Sequence, residues 1–271
     1  MKKILVLCTI LCVSLLTCLT SCGGEKNEKV IKVGASPSPH ADILNCEAVV
    51  NYIASKGYTL EVVEFEDYVM PNMALNDKTI DANYFQHVPY LETEMALKGY
   101  KFSVACEVHN EPLNLYGKSA KTDWSNTTVY IVNDASNVER AFKLLLANGL
   151  IDSYSVDNFD ADYPVYTSSI GVKIRCIDPG LLRFQVEDGG YAVIPGNFAL
   201  NAWGASGAQN YKIFGESTTA AHPNIVAVRT EDLGSEKIKV LVEALSQPDV
   251  QLYIEQTYGA TVNYLFKSYL A

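Results

Sequence analysis

The stretch TIDANYFQHVPYLE, at residues 79–92, concentrates side chains that could contact a small ligand. Tyr84, Phe85 and His87 fall within four residues, whereas helices bury apolar residues every 3.6 positions and strands every second position. Part of this set must therefore face something other than the protein core, such as a cleft. We expect Tyr84 to pack in the core, whereas the loop context of Phe85, His87 and Tyr68 favours a cleft wall. Aromatic faces suit a thioether and an aliphatic side chain equally, so they do not select the ligand.

A second segment, IVNDASNVERAF at residues 131–142, could bind an anion. A strand is predicted to end before Asp134, and a helix to begin near Asn137. Arg140 would then lie in the first helical turn, where the helix dipole disfavours a cation. A small carboxylate, held by backbone N–H groups and by a bidentate contact to the guanidinium, would explain this position. The alternative is a surface ion pair with Glu139 or Asp134, or simple exposure.

Motifs for catalysis or metal binding are weak. The sequence contains no Gly-x-Ser-x-Gly elbow, His-Glu-x-x-His pair, phosphate-binding loop or dinucleotide fingerprint, so we expect no enzyme activity and no cofactor. Cys106-Glu-Val-His109 supplies two donors where zinc takes three or four, and on a strand these two would face opposite sides. We therefore expect no metal site. His40 and His109 are expected to be structural, and His222 stays undecided.

Residues 1–21 have the pattern of a bacterial lipoprotein signal peptide. Two lysines precede an apolar run over residues 4–19, which is shorter than the roughly 20 residues of a membrane-spanning helix. The motif LTSC then ends at Cys22, which such a signal leaves as the lipidated first residue. We expect a lipid anchor there, facing a periplasm or the cell exterior, and a polar tether over residues 22–29. An ordinary secretory signal is the alternative.

The acidic composition excludes some partners. The chain has 21 Lys and Arg against 31 Asp and Glu among 271 residues, a formal net charge of −10. Such a chain is a poor candidate for binding nucleic acid, and it would not be attracted to an anionic membrane by charge. Beyond the signal and anchor, Cys46, Cys106 and Cys176 are too few and too far apart for a disulfide framework. We expect them to be small buried hydrophobic residues.

Alternating strands and helices predict an α/β fold. Strands are predicted at 30–36, 58–65, 101–109, 127–132, 172–177, 191–194 and 224–229. Helices are predicted at 41–56, 67–76, 88–98, 137–148, 179–187, 234–246 and 248–258. This β-α-β order implies mainly parallel sheets covered by helices, and its restart after residue 126 suggests two lobes.

The two lobes would be joined by two loop-like crossings, near residues 110–117 and 215–223. Lobe 1 would comprise residues 30–111 and 222–271, and lobe 2 would comprise residues 112–221. Ligands in such folds bind in the cleft between lobes, at loops beyond the carboxyl ends of strands.

Six segments carry a family resemblance: VGASPSPHADIL (33–44), EFEDYVMPNMAL (64–75), IDANYFQHVPYLE (80–92), VNDASNVERAFKLLLANGLI (132–151), AVIPGNFAL (192–200) and PNIVAVR (223–229). In this order they resemble the methionine-binding lipoprotein (MetQ/NlpA) family of ABC importers. The resemblance implies a two-lobed periplasmic-binding-protein fold of type II-like architecture. It also implies delivery of L-methionine, D-methionine or a methionine derivative to a membrane permease driven by a cytoplasmic ATPase.

The resemblance also implies contacts to the ligand. It places Tyr68, Phe85 and His87 around the ligand side chain. It places Arg140 on the carboxylate, with Asn137 nearby. The group that contacts the ligand's ammonium is not assigned, although an aspartate, a glutamate or a backbone carbonyl must do so.

Two further contacts follow from the resemblance, in segments where the chain departs from the family pattern. Asn224 would hydrogen-bond the amino-acid head group. Asn197 lies in a loop that usually reads Asn-Gly-Asn, but Pro195 replaces the first asparagine. His222-Pro223 replaces a more usual Tyr-Ala, so selectivity could extend to another small amino acid or a methionine-containing dipeptide. A surface lipoprotein with no transport role is a further alternative.

Overall fold

Strands and helices alternate along the described chain, which comprises residues 29–217 and 222–270 of the computed structural model. The strands are β1 (Val30–Ala35), β2 (Thr59–Glu64), β3 (Ala82–His87), β4 (Phe102–Asn110), β5 (Asn114–Tyr116), β6 (Thr128–Val132), β7 (Ser153–Ser155), β8 (Val165–Thr167), β9 (Lys173–Ile177), β10 (Tyr191–Ile194), β11 (Lys212–Gly215), β12 (Pro223–Arg229) and β13 (Asn263–Ser268). The predicted signal peptide, Cys22 and nearly all of the predicted tether lie outside the described residues.

The helices are α1 (Asp42–Leu44), α2 (Glu47–Ser55), α3 (Met70–Asn76), α4 (Val88–Lys98), α5 (Ala135–Ala147), α6 (Leu182–Glu187), α7 (Gly196–Tyr211), α8 (Glu236–Leu245) and α9 (Pro248–Tyr258). None of these helices is both long enough and apolar enough to cross a bilayer. The helix predicted at 41–56 is broken into α1 and α2, and α7 was not predicted from the sequence.

Two larger sheets organise the fold. The first has the strand order β13-β4-β12-β3-β1-β2, and the second has the order β11-β5-β10-β6-β9. In the first sheet β1 is parallel to β3, but β12 runs antiparallel to β3 and β4, and β13 runs antiparallel to β4. The prediction of a mainly parallel sheet is therefore wrong here, because the chain that returns at β12 enters this sheet from the opposite end.

The second sheet combines a parallel centre with an antiparallel edge. Strands β10, β6 and β9 are parallel, whereas β5 is antiparallel to β10 and β11. Since β5 and β11 lie within or beside the predicted crossings, those stretches are not simple loops. The chain passes from β4 to β5 through only residues 111–113. The proposed lobe boundaries stay a prediction, because Ile31 and all residues after it belong to one compact unit.

Each sheet has its own hydrophobic core. The first core contains Tyr84, as expected, together with Cys46 and Cys106. The second core is centred on residues such as Phe142 of α5. All three described cysteines are free, and Cys176 is only partly buried. The two cores fix the sheets, and the ends of the strands and helices between them form the pocket described below.

Replacement of Phe142 by alanine tests the second core. Phe142 has no exposed surface, and its ring stacks on Tyr154 with a centroid distance of 5.2 Å. Phe142→Ala should lower the free energy of unfolding by about 3–5 kcal/mol, because it leaves a cavity. Phe184→Ala is the matched control, since Phe184 is 41% exposed and its loss should cost less than about 1 kcal/mol. Equal losses in urea unfolding would contradict this assignment.

Candidate functional site

A bulge in β3 explains the crowded aromatic residues. Opposite β3, Val226 pairs with Tyr84 and Ile225 pairs with Gln86, so Phe85 is one extra residue in the strand. A bulge interrupts the alternation of side chains and re-aims those that follow it. Tyr84 therefore enters the first core, whereas Phe85, Gln86 and His87 all line one pocket. The prediction that Phe85 and His87 lie in a loop is wrong, although their place at a cleft wall agrees with the structure.

An aromatic wall forms around Tyr68, which lies in the segment before α3. Its ring centroid is 5.9 Å from that of Phe85, 5.6 Å from that of Tyr90 and 5.1 Å from that of Phe198. The Tyr68 hydroxyl donates to Asn197 Oδ1 at 2.8 Å, which crosses from the first sheet's side of the pocket to α7. The wall thus offers apolar ring faces to a ligand, and the Tyr68 hydroxyl is already hydrogen-bonded.

Arg140 lies in the second turn of its helix. Helix α5 begins at Ala135, and Asp134 caps it by accepting from the backbone N–H of Asn137 at 2.9 Å. The predicted start near Asn137 is therefore too late, because an aspartate N-cap extends the helix toward the strand. One of the free backbone N–H groups that we expected to share an anion with Arg140 is instead bonded to Asp134.

The Arg140 guanidinium is buried and paired with a carboxylate of the protein itself. Its Nε donates to Glu216 Oε1 at 3.0 Å, and its Nη2 donates to Glu216 Oε2 at 2.6 Å. Nη2 also donates to the backbone oxygen of Glu111 at 3.2 Å, and Nη1 donates to Asn137 Oδ1 at 3.1 Å. The predicted bidentate face is therefore occupied by Glu216.

The alternative ion pairs considered for Arg140 are not formed. Glu139 instead pairs with Lys143 at 2.7 Å on the exposed side of α5, and Asp134 serves as the helix cap. Arg140 is 5% exposed, so it is not a surface residue. Of its five N–H groups, one on Nη1 is not used by the contacts above, and Arg140 is one of the residues that line the pocket.

Hydrogen bonds link residues on the first sheet's side of the pocket to residues on the second sheet's side. His87 Nδ1 accepts from the backbone N–H of Tyr90 at 3.2 Å, so in the neutral ring Nε2 carries the proton. His87 Nε2 then donates to Asn137 Oδ1 at 3.0 Å. Away from this contact, Ser38 N donates to Asn201 Oδ1 of α7 at 2.8 Å. These bonds fix the facing walls in one arrangement.

All seven residues named from the sequence line one pocket. Asn197 is the second residue of α7, not part of a loop as expected, and Asn224 is the second residue of β12. Five lining residues were not named from the sequence as ligand contacts: Gln86, Tyr90, Glu111, Pro195 and Gly196. The role of the seven as ligand contacts stays a prediction.

A buried polar cluster lies beside the pocket. His109 Nε2 lies 2.7 Å and His40 Nε2 lies 3.4 Å from Glu111 Oε1. Asn224 Oδ1 is 3.0 Å from His40 Nε2, and His109 Nδ1 is hydrogen-bonded to the Tyr84 hydroxyl. In the described part of the chain, the two histidines and Glu111 are the group whose donor atoms, all within 4.8 Å, could hold a metal ion. Their mutual hydrogen bonds equally explain the arrangement, so no metal is needed to account for it.

All four histidines of the sequence gather around this pocket. Burial lowers the pKa of His40 to about 4 and the pKa values of His87 and His109 to about 3. Burial also lowers the pKa of His222, whose ring lies 5.7 Å from that of His87. Near neutral pH these rings are uncharged, and their role in the site is to donate and accept hydrogen bonds.

The fold and the pocket define a class of protein. The two larger sheets and their helices are connected by short crossings, and they enclose a pocket of aromatic and polar side chains. This is the architecture of a two-lobed substrate-binding protein. The model of the NlpA lipoprotein family matches residues 31–265, and the chain belongs to this family.

Relatives of known name are similar over nearly their whole length. The methionine-binding lipoprotein MetQ of Bacillus subtilis is 34% identical over 254 residues, which covers 90% of this chain and 91% of that relative. A nutrient-binding protein from Burkholderia cenocepacia, solved bound to methionine, has a TM-score of 0.77 and 30% identity over 86% of this chain and 99% of its own. A periplasmic substrate-binding protein of an ABC transporter from Coxiella burnetii has a TM-score of 0.78 and 28% identity, covering 87% and 100%.

The neutral histidines predict that the protein loses stability in acid. The unfolded chain binds protons on histidines below about pH 6.5, whereas folded His40 and His87 stay neutral to about pH 4 and 3. The unfolded state therefore binds more protons, and the free energy of unfolding falls by up to about 1.4 kcal/mol per pH unit for each histidine. Glu111, whose pKa is raised by burial, contributes with the opposite sign.

Urea unfolding at pH 7, 6 and 5 measures this slope. His87→Gln, which keeps a neutral side chain, should reduce the slope by roughly one histidine's share. A free energy of unfolding that stays constant between pH 7 and pH 5 in the wild-type chain would show that the buried rings are not held neutral.

Proposed function

We propose that this chain is the substrate-binding lipoprotein of an ABC importer, and that it captures methionine or a close relative for uptake. The pocket between the two sheets is the observation that carries this proposal. It combines an aromatic wall at Tyr68, Phe85 and Tyr90 with a buried guanidinium at Arg140. A small zwitterion with an apolar tail has matching chemistry.

The apolar tail of the ligand would lie against the aromatic wall. Ring faces and a thioether sulfur attract each other by about 0.3–1.5 kcal/mol per contact. The carboxylate would accept from the remaining Nη1 N–H of Arg140, while Asn197 and Asn224 supply amide groups at the same pocket. Binding and release, without a bond-making step, are the activity that we propose, so the chain acts as a carrier and not as an enzyme.

The named relatives support the choice of ligand. The Bacillus relative carries the name methionine-binding lipoprotein, and the Burkholderia protein was solved bound to methionine. The Coxiella protein, named as a substrate-binding protein of an ABC transporter, supports the import role. Since ATP-binding motifs are absent from the sequence, a permease and an ATPase would be separate partner chains.

Anchoring at Cys22 would keep the carrier near its permease. Each acyl methylene buried in a bilayer contributes about 0.8 kcal/mol, so two or three chains hold a soluble domain at the membrane. The polar stretch that follows Cys22 would let the two-lobed domain move while tethered. The anchored domain would face the periplasm or the cell exterior.

Isothermal titration with L-methionine tests the proposed function directly. We expect one binding site per chain, and a rise in the thermal unfolding midpoint, because a ligand that binds only the folded state stabilises it. D-methionine and methionine-containing dipeptides, titrated in parallel, rank the ligands of the site. The absence of heat and of any thermal shift with all of them would reject the proposal.

Arg140→Ala should abolish methionine binding, lowering the affinity by about 100-fold or more, because it removes a buried donor and leaves Glu216 unpaired. Arg175→Ala is the matched control, since Arg175 is an exposed residue of β9 and does not line this pocket. The double variant Arg140→Ala/Glu216→Ala removes both charges, so it should recover folding stability without recovering binding. Near-normal affinity in Arg140→Ala would show that the carboxylate binds elsewhere.

Cys22→Ala tests the anchor. In cells the wild-type chain should incorporate labelled palmitate and sediment with membranes, because the acyl chains attach at this cysteine. The variant should lose the label while its purified soluble domain binds methionine as before. Cys46→Ala is the control, because Cys46 is buried in the first core. Label retained in Cys22→Ala would disprove the assignment of the anchor.

A further inference from the structure

Three buried amide side chains, called the amide triad below, lie between helix α3 and strand β3. Asn72 is on α3, whereas Asn83 and Gln86 are on β3. Asn72 and Asn83 have no exposed surface, and Gln86 is 3% exposed. Because a buried polar group is costly unless it is hydrogen-bonded, each of these amides needs partners inside the protein.

The bulge in β3 brings two of these amides to the same face of the sheet. Residues three apart in a regular strand point to opposite faces. Here Asn83 lies opposite Ala227 of β12. Gln86 lies opposite Ile225, only two positions away on β12, because Phe85 is an extra residue. Gln86 Nε2 therefore reaches Asn83 Oδ1 and donates to it at 3.0 Å.

Asn72 connects the other two amides. Its Nδ2 donates to Gln86 Oε1 at 3.1 Å, and its Oδ1 accepts from Gln86 Nε2 at 2.8 Å. Asn83 Nδ2 donates to the same Asn72 oxygen at 2.9 Å and to the backbone oxygen of Pro71 at 3.3 Å. Reversal of any one amide would bring oxygens together, so each amide has one orientation. The triad therefore fixes the start of α3 against the bulge.

The start of α3 in turn positions Tyr68, which lies two residues before the helix. Asp67 Oδ1 accepts from the backbone N–H groups of Val69 and Met70 at 2.6 and 2.7 Å, so Tyr68 lies in a tight turn that leads into α3. The rings of Tyr68 and Phe85 are neighbours in the aromatic wall, with a centroid distance of 5.9 Å. Their spacing therefore depends on how α3 is held against β3.

We propose that the amide triad sets the distance between Tyr68 and Phe85, and that it thereby limits the size of the ligand side chain that the pocket accepts. This inference rests on the proposed function and concerns its selectivity. Asn72 is a positioning residue, because it does not line the pocket and acts through the aromatic wall. The pocket selects amino acids whose apolar side chain fits a wall of fixed spacing, and it rejects those with a bulkier end.

L-Ethionine, which carries one more methylene than L-methionine, measures this limit. The wild-type chain should bind L-methionine about 10-fold or more tightly than L-ethionine, because an extra methylene in a pocket of fixed size costs about this factor. Asn72→Ala removes three hydrogen bonds of the triad and lets the Tyr68 turn move away from Phe85. This variant should bring the ratio of the two affinities close to one. Isothermal titration with both ligands measures the ratio.

A milder variant and a control accompany this test. Asn83→Ala leaves the reciprocal pair of Asn72 and Gln86 in place and should lower the ratio in the same direction. It decides the question if thermal unfolding shows that Asn72→Ala does not fold. Val49→Ala is the control for lost stability, since Val49 is fully buried in the first core and does not line the pocket. It should lower the unfolding midpoint and keep the wild-type ratio.

The outcomes distinguish this inference from the proposed function. A wild-type chain that binds neither amino acid overturns the proposed function itself. A wild-type chain that binds both equally well overturns the size limit and leaves the proposed function standing. Folded variants of Asn72 and Asn83 that bind both ligands more weakly but at the wild-type ratio show that the triad only stabilises the fold, and they also overturn the inference.

Discussion

The buried ion pair between Arg140 and Glu216 is the interaction on which the rest of the site depends. Arg140 is on α5, and its guanidinium reaches both stretches of chain that connect the sheets: Glu111 after β4 and Glu216 after β11. Glu216 also accepts from the backbone N–H of Leu113 at 2.8 Å, which ties the two stretches to each other. Because such a pair is costly to desolvate, its value lies in fixing geometry more than in adding stability. It sets the position of the guanidinium of Arg140, which lines the pocket.

Much of this architecture could be predicted from local pattern. The alternation of strands and helices identified the α/β class, and β10, α4 and α9 have the predicted bounds because turn residues and caps mark their ends. Asp134 shows the limit of that approach. Its carboxylate caps α5, which begins two residues before the predicted start. Arg140 therefore lies in the second turn and not in the first, as predicted. The mixed pairing of the first sheet was missed since strand direction depends on where the returning chain enters, which no local pattern records.

Only part of the site was predicted from the sequence, because only some of its residues stand out in the local pattern. Phe85 and His87 stood out because their crowding with Tyr84 broke both periodicities, and the bulge in β3 is the physical cause. Glu111 and Glu216 gave no such signal. Each is an ordinary acidic residue in a connecting stretch, and it becomes notable through a partner distant in the sequence: Glu216 through Arg140, 76 positions away, and Glu111 through His40. Long-range pairing of single polar residues is what sequence periodicity cannot express.

The extra residue in β3 limits how a gene for this pocket can change. Loss of one codon between Tyr84 and Gln86 would restore strict alternation, so the residues beyond it would exchange their inward and outward faces. The ring of His87 would then turn away from Asn137, and the pairing register of β3 with β12 would shift. Substitutions keep the number of residues in the strand, so they leave this register intact. New ligand preferences can therefore arise here by substitution, while the length of this strand is fixed by its geometry.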